Sequence, residues 1–378
     1  MIKIFHCADI HLDSPFSLCS PREAESRRTE LRAAFTSAVM YAREAGADLF
    51  LISGDLFDSE YVTRDTKELL LREFRKSPDM RFFISPGNHD PFTPGSFYAV
   101  SDFPENVHVF GPSRECVHID DLGVDVYGFA FNSPELLKSP VAGWGALDPE
   151  RINILVCHGD MTSANSVTGP VTKADIGSSG FDYIALGHIH KGTGVLCENG
   201  VYYAYPGCLE GRGFDEQGVK GALYGGLEKG KAELKAVRFS RRRYESVIID
   251  IGGITEKSAA LEKIRREIKT FTDDTALRIA LVGEQSESFV ILPEEIGKGC
   301  EFPYYIEIID KTHAAPDMGE LEKSNTVKGV FFRNMSAKLA AAEKGSEEYR
   351  VLALAMKYGL AALEGRSVAD YGQAEDLK

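Results

Sequence analysis

Histidine, aspartate and asparagine recur in short glycine-flanked clusters through the first half of this chain. They are Asp9-Ile10-His11, Gly54-Asp55-Leu56-Phe57-Asp58, Gly87-Asn88-His89-Asp90, Cys157-His158-Gly159-Asp160 and Gly187-His188-Ile189-His190. Imidazole nitrogens mixed with carboxylate oxygens suit Mn, Fe or Zn, whereas Ca or Mg sites are built almost wholly from oxygen. Mixed donors drawn from five separate stretches therefore point to a metal site, and the chemistry implied is hydrolysis of a phosphate ester. One such cluster would be a weak signal, because a single histidine is more often a satisfied core or surface residue. Five in this order carry the reading.

The elements that must position these residues can be read from the apolar runs before them. Residues 2–5 precede Asp9, 49–52 precede Asp55, 82–84 precede Asn88, 152–156 precede His158 and 183–186 precede His188, each with the pattern of a buried strand. All the candidate ligands then sit just past strand C-termini, the edge of an open α/β sheet where ligands bind. Glycines 54, 87, 159 and 187 fit sharp turns beside an ion, where positive φ or close backbone approach is needed.

These clusters, together with the string His6-Cys7-Ala8-Asp9-Ile10-His11-Leu12-Asp13-Ser14-Pro15-Phe16, Tyr205-Pro206-Gly207, Arg212, Phe214 and Glu216, resemble the calcineurin-like metallophosphoesterases. Within them the chain is most similar to the SbcD-type nuclease subunits of bacterial double-strand-break processing complexes, over residues 1–310. The resemblance implies a four-layer α/β/β/α metallophosphoesterase sandwich with a small α/β cap and a helical C-terminal tail. It makes Asp9, His11 and His190 ligands of one metal and Asn88, His158 and His188 ligands of the other, with Asp55 bridging. His89 becomes the non-ligand histidine beside the scissile phosphate.

Physical chemistry is consistent with that assignment. Two divalent ions about 3.5–4 Å apart can clamp the attacking and leaving oxygens of an in-line displacement. A carboxylate such as Asp55 has two anionic oxygens for two cations, while Asn88 supplies a neutral oxygen that limits the charge around the pair. His89, with its ring free, could protonate the departing ribose oxygen or stabilise phosphoryl charge. The expected cofactor is two divalent ions, Mn first, with Fe or Zn as alternatives. Two departures from the family stand out. Asp13 replaces a small glycine, and reads either as a turn or helix cap or as a residue orienting His11. Asp58 stands where archaeal and eukaryotic relatives have histidine, so that histidine's role in placing DNA does not transfer.

The 378 residues suffice for a large core plus smaller modules. Neither an apolar leader nor a membrane-length run is present, and seven scattered cysteines without a C-x-x-C pair describe neither a disulfide framework nor a zinc finger. The expected compartment is the reducing cytoplasm, without a membrane partner. A formal charge of −14 argues against a protein that grips DNA by itself. The densest positive cluster is Arg238, Arg241, Arg242 and Arg243, and the last three are candidate DNA contacts, with a solvated hinge as the competing reading.

The expected domains are a catalytic domain over 1–240, an α/β cap over 244–312 and a helical region over 313–378. In the cap, strands are expected at 244–251, 276–282 and 304–309, with a helix at 256–269. Helical stripes follow, Val327, Val330, Phe331, Met335 and Leu339, then Tyr349, Leu352, Met356, Leu360 and Leu363. Such stripes either pack on this chain or await another protein. The resemblance supplies the partners: DNA, a coiled-coil SMC-like ATPase of SbcC type, and a second copy of this chain. The expected activity is a metal-dependent DNA exonuclease or endonuclease in double-strand-break repair. Alternatives are a small-substrate phosphatase or cyclic-nucleotide phosphodiesterase with the same ligands, and a non-catalytic scaffold.

Overall fold

The computed structural model describes residues 1–17, 19–285, 289–296, 303–314 and 317–365, and divides into two compact units, Met1–Arg243 and Tyr244–Lys378.

Two six-stranded sheets form the first unit. One contains the parallel strands Ile2–Cys7, Leu49–Ile52, Arg81–Ile84 and Val107–Val109, extended by the antiparallel pair Gly221–Glu228 and Lys231–Arg238. The other contains Val124–Gly128, Ile152–His158, Tyr183–Gly187 and Val201–Ala204 in parallel, with Glu115–Ile119 and Leu196–Glu198 antiparallel at its edges.

Strand periodicity decides which residue meets which layer. Phe5, Cys7, Phe50, Ile52, Phe82 and Ile84 turn to the helices Pro21–Glu44 and Arg64–Arg75, whose Leu31, Phe35, Leu70 and Phe74 complete that core. The alternate residues Ile4, Leu49, Leu51 and Phe83 turn inward and meet Val124, Val126, Ile154, Val156 and Ala185 of the second sheet. On that sheet's outer face, Tyr127, Leu155, Cys157 and Leu186 are covered by Val141, Val171, Ile176 and Phe181. The expected α/β/β/α sandwich is therefore present, with a thin fourth layer. Its helix, Lys173–Gly177, has five residues, and loops supply the rest.

The long helix starts at a capping box, Ser20 with Glu23, with Pro21 at the first turn. The cap of helix Arg64–Arg75 is Thr63, and Asp13 buttresses it from outside the helix. Its carboxylate accepts the Thr63 N–H at 2.7 Å and the Thr66 hydroxyl at 2.7 Å, pinning the start of helix Arg64–Arg75.

In the second unit, strands Arg243–Asp250, Thr275–Val282 and Tyr305–Asp310 form one sheet, with helix Lys257–Glu267 packed through Ala260 and Ile264 onto Ile249, Leu277 and Ile279. Helices Met318–Lys323, Val327–Ala341 and Glu347–Leu363 share a small core of Leu321, Phe332 and Leu360, backed by Phe331 and Met356. The inward face of Val327–Ala341 is Gly329, Phe332 and Met335, so it is rotated from the stripe read in the sequence. Val327 and Val330 lie exposed, as do Val351, Leu354 and Leu363. Residues 315–316 and 366–378 of the expected helical region lie outside the described residues. No helix among the described residues is long and apolar enough to cross a membrane.

Candidate metal centre

Five strands end at one place, and the chain turns there in conformations that side chains rarely adopt. Asp9, His11, Asp55 and His188 have φ of 51°, 49°, 50° and 111°. Such conformations cost on the order of 1–3 kcal/mol each and persist where surrounding bonds fix them. The Asp9 N–H donates to Gly54 O at 3.1 Å, the His11 N–H to Asp55 O at 3.0 Å, and the His188 N–H to Asp9 Oδ1 at 3.0 Å. Close packing of the strand ends needs glycine at several positions, Gly54, Gly87 and Gly187 among them. A Cβ on Gly187 would lie 1.8 Å from Ser53 O, and one on Gly54 would lie 2.3 Å from His158 Nδ1.

All seven residues expected as ligands converge. His11 Nε2 and His190 Nε2 are 3.2 Å apart, with Asp9 Oδ1 4.0 Å from the latter. In the other group His158 Nε2 lies 2.9 Å from Asn88 Oδ1 and 3.3 Å from His188 Nδ1. Asp55 stands between the groups. Its Oδ2 is 3.8 Å from His11 Nε2 and 3.5 Å from His158 Nε2, while Oδ1 accepts the His89 N–H at 3.0 Å.

Each imidazole is also held from behind. Glu216 Oε1 lies 2.7 Å from His190 Nδ1, and Ser53 O lies 2.9 Å from His158 Nδ1. Thr168 Oγ1 lies 3.2 Å from His188 Nε2, with Asp160 Oδ2 at 3.9 Å. His11 Nδ1 is 3.2 Å from Asp58 Oδ1, within ion-pair range though off the line of a good hydrogen bond. A neutral imidazole has one N–H, and an acceptor behind the ring claims it, so the inward nitrogen carries a lone pair. Four inward lone pairs, two carboxylates and an amide oxygen thus face one another. Acceptors repel at these distances unless a cation shares them, so the donor set fits divalent ions taking nitrogen and oxygen.

Burial favours the neutral ring at two of these histidines, while His190 is held the other way by its carboxylate neighbours. Burial, reinforced by neighbouring His158, pushes His188 below the usual histidine range, and burial also outweighs the Asp58 contact in lowering His11. For His190 burial acts downward too, but Glu216 and Asp9 outweigh it and raise the ring. Burial alone would raise Asp58, yet His11, Ser14 and Arg212 bring it down to about 2. Asp90 goes the other way, to about 7, through burial and the nearby Asp55 charge. Its carboxylate accepts the N–H groups of Gly87 and Phe57 and the Tyr98 hydroxyl, and so shapes the Gly87–Asp90 turn.

His89 lies beside the cluster with an exposed ring, its centroid 4.9 Å from that of His11. Its Nδ1 is 3.1 Å from the Asp58 carbonyl oxygen, which leaves Nε2 free. Of the three arginines, Arg241 and Arg242 make contacts with other carboxylates. The Arg241 and Arg242 N–H groups donate to Glu210 at 2.6 and 3.0 Å. Both side chains also pair with Glu30 Oε1, Arg242 at 3.0 Å and Arg241 at 3.5 Å, and they are 13% and 69% exposed respectively.

The sequence marks Asp58, Arg212 and Glu216 without assigning them roles at the site, and does not single out Ser53 or Thr168. For Glu216 the signal was the Arg212, Phe214, Glu216 spacing after Pro206-Gly207. For Ser53 and Thr168 there was none.

The profile of the calcineurin-like phosphoesterase family matches residues 2–192, half of the chain. An uncharacterized metallophosphoesterase, YhaO of Bacillus subtilis, is 26% identical over 311 residues, covering 78% of this chain and 74% of that protein. The DNA double-strand break repair protein Mre11 of Saccharolobus solfataricus is 26% identical over 332 residues, covering 84% of each. The solved structure of TT1561 from Thermus thermophilus matches with a TM-score of 0.39 and 13% identity, over 63% of this chain and 99% of that one.

Proposed function

The chain belongs to the calcineurin-like phosphoesterases, and from that premise we propose that it is a two-metal phosphodiesterase acting on DNA. The observation that carries the two-ion reading is Asp55, whose single Oδ2 faces both donor groups at 3.8 and 3.5 Å. Asp9, His11 and His190 would hold one ion and Asn88, His158 and His188 the other, with Asp55 serving both. When bound, the ions supply Lewis-acid charge for the phosphoryl oxygens and a nucleophile usable near neutral pH, with Mn the ion we favour.

The remaining work falls to this chain's own residues. The Asp58 carbonyl fixes His89 by accepting its Nδ1–H. A second proton on the exposed Nε2 is then placed to pass to the departing oxygen, which makes His89 the general acid. The backing acceptors keep the four ligand rings in one tautomer and orientation.

DNA as substrate is supported by the similarity to a protein named for double-strand break repair. Arg241 is the exposed guanidinium we assign to phosphate contact. A coiled-coil ATPase as partner, in the cytoplasm, is the matching proposal for the exposed apolar residues Val327, Val330, Val351, Leu354 and Leu363. The test is manganese-dependent turnover on duplex DNA, single-stranded DNA and bis-p-nitrophenyl phosphate. Cleavage of DNA well above the small diester supports the reading. Hydrolysis of the small diester without DNA cleavage replaces it with a small-substrate phosphodiesterase.

A further inference from the structure

We infer that Arg212 is a positioning residue that sets the affinity of one of the two metal positions, the one formed by Asp9, His11 and His190; this rests on the two-ion reading above. Arg212 Nη1 donates to Asp58 Oδ1 at 2.7 Å, and Nη2 donates to Glu216 Oε1 at 2.8 Å. Those same two oxygens face the outward nitrogens of His11, at 3.2 Å, and His190, at 2.7 Å. One planar guanidinium thus fixes both carboxylates, and each carboxylate fixes one ring. No contact among the described residues joins Arg212 to Asn88, His158 or His188.

Arg212 is itself tied down. Its backbone N–H donates to Glu216 Oε2 at 2.7 Å, and the preceding Gly211 O accepts from the buried Arg27 Nη2 at 2.6 Å. Glu210, one residue earlier, accepts the N–H groups of Arg241 and Arg242. The segment 210–212 is therefore anchored both to helix Pro21–Glu44 and to the end of the first unit. A guanidinium presents a rigid fork that can serve two carboxylates at once, which a single ammonium on a flexible stem reproduces only in part.

Two effects of Arg212 oppose each other, and their signs differ. As a nearby positive charge it disfavours a second cation, so its removal by Coulomb's law alone would tighten metal binding. As the group that orients both rings it favours the ion, so its removal loosens binding. Loss of such supporting contacts lowers metal affinity by about 10–100-fold. With Glu216 at hydrogen-bond range of His190 and Asp58 within ion-pair range of His11, positioning dominates.

The experiment is Mn2+ titration of the full chain, followed by calorimetry and by electron paramagnetic resonance, which separates coupled pairs from single ions. Wild type is expected to bind two ions, and a single ion overturns the two-ion reading and this inference with it. Arg212→Met is expected to weaken one position about 10–100-fold and leave the other unchanged, with Arg212→Lys in between. Assignment comes from two backgrounds. In Asn88→Ala, which leaves the Asp9 position to be read, the added Arg212→Met must reproduce the loss. In His11→Ala it must do nothing. Unchanged binding, equal loss at both positions or tighter binding each overturns the inference. If Arg212→Met does not fold by circular dichroism, Arg212→Lys carries the same comparison.

Discussion

The two halves of the candidate centre carry similar rings but support them differently. His11 and His190 are backed by the carboxylates of Asp58 and Glu216. His158 and His188 are backed by a peptide carbonyl and a hydroxyl, with the Asp160 carboxylate further off at 3.9 Å. The direct donors differ in the same sense, Asp9 being anionic and Asn88 neutral. A carboxylate behind an imidazole raises its basicity as a ligand. The Asp9 half should therefore hold its ion more tightly and the Asn88 half exchange its ion more readily. One scaffold edge thus yields two unequal positions from the same residue types, and the inequality is written in the supporting groups.

The most damaging test removes what the halves share. Asp55→Ala is expected to release both ions and to lower turnover beyond about 10⁴-fold, because several kcal/mol of charge stabilisation go with them. Metal analysis after gel filtration checks it, and a variant that retains two ions would remove Asp55 from the bridge. His89→Ala should keep both ions while kcat falls by about 10²–10⁴-fold. Equal metal loss in both variants would make His89 a ligand. The comparison itself is sharpened by Glu216→Gln against Thr168→Val. The first should weaken the tighter ion about 10–100-fold. The second removes a neutral hydrogen bond worth about 1 kcal/mol and should weaken the looser ion about fivefold. Competition with a chelator reads both, and the reverse order would abolish the asymmetry argued above. Smallest at the centre is Asp13→Ala, which should cost roughly 1–2 kcal/mol of stability in urea unfolding with metal content unchanged.

Much of this was legible in the sequence because each donor follows its strand directly. A largely apolar, buried run such as that within Ile2–Cys7, or Leu49–Ile52, announces both the strand and where it ends. The supporting groups were not legible in the same way. Glu216 reaches His190 across 26 residues and Arg212 reaches Asp58 across 154, and no local period encodes a contact of that kind. Of the C-terminal helix stripes, Phe331, Met335, Met356 and Leu360 do pack inward, while Val327, Val330 and Leu363 are exposed, and the reason is a different one. At Gly329 and Gly359 the missing side chain is what permits contact, since a Cβ would lie 2.3 Å from Ser324 O and 2.2 Å from the Phe331 ring respectively. An apolar stripe search passes over glycine, so the face it selects is rotated from the one that packs.

The left-handed backbone at Asp9, His11 and Asp55 restricts which substitutions this centre can explore. Among residues with a side chain, aspartate, asparagine and histidine enter that region most readily, while β-branched and bulky residues are strongly disfavoured. Those three are themselves metal donors, differing in charge and softness. Natural drift or a mutant library is therefore steered at these positions toward exchange of one donor for another. The geometry of the turns thus leaves ion preference evolvable while shielding the cradle from most changes that would empty it.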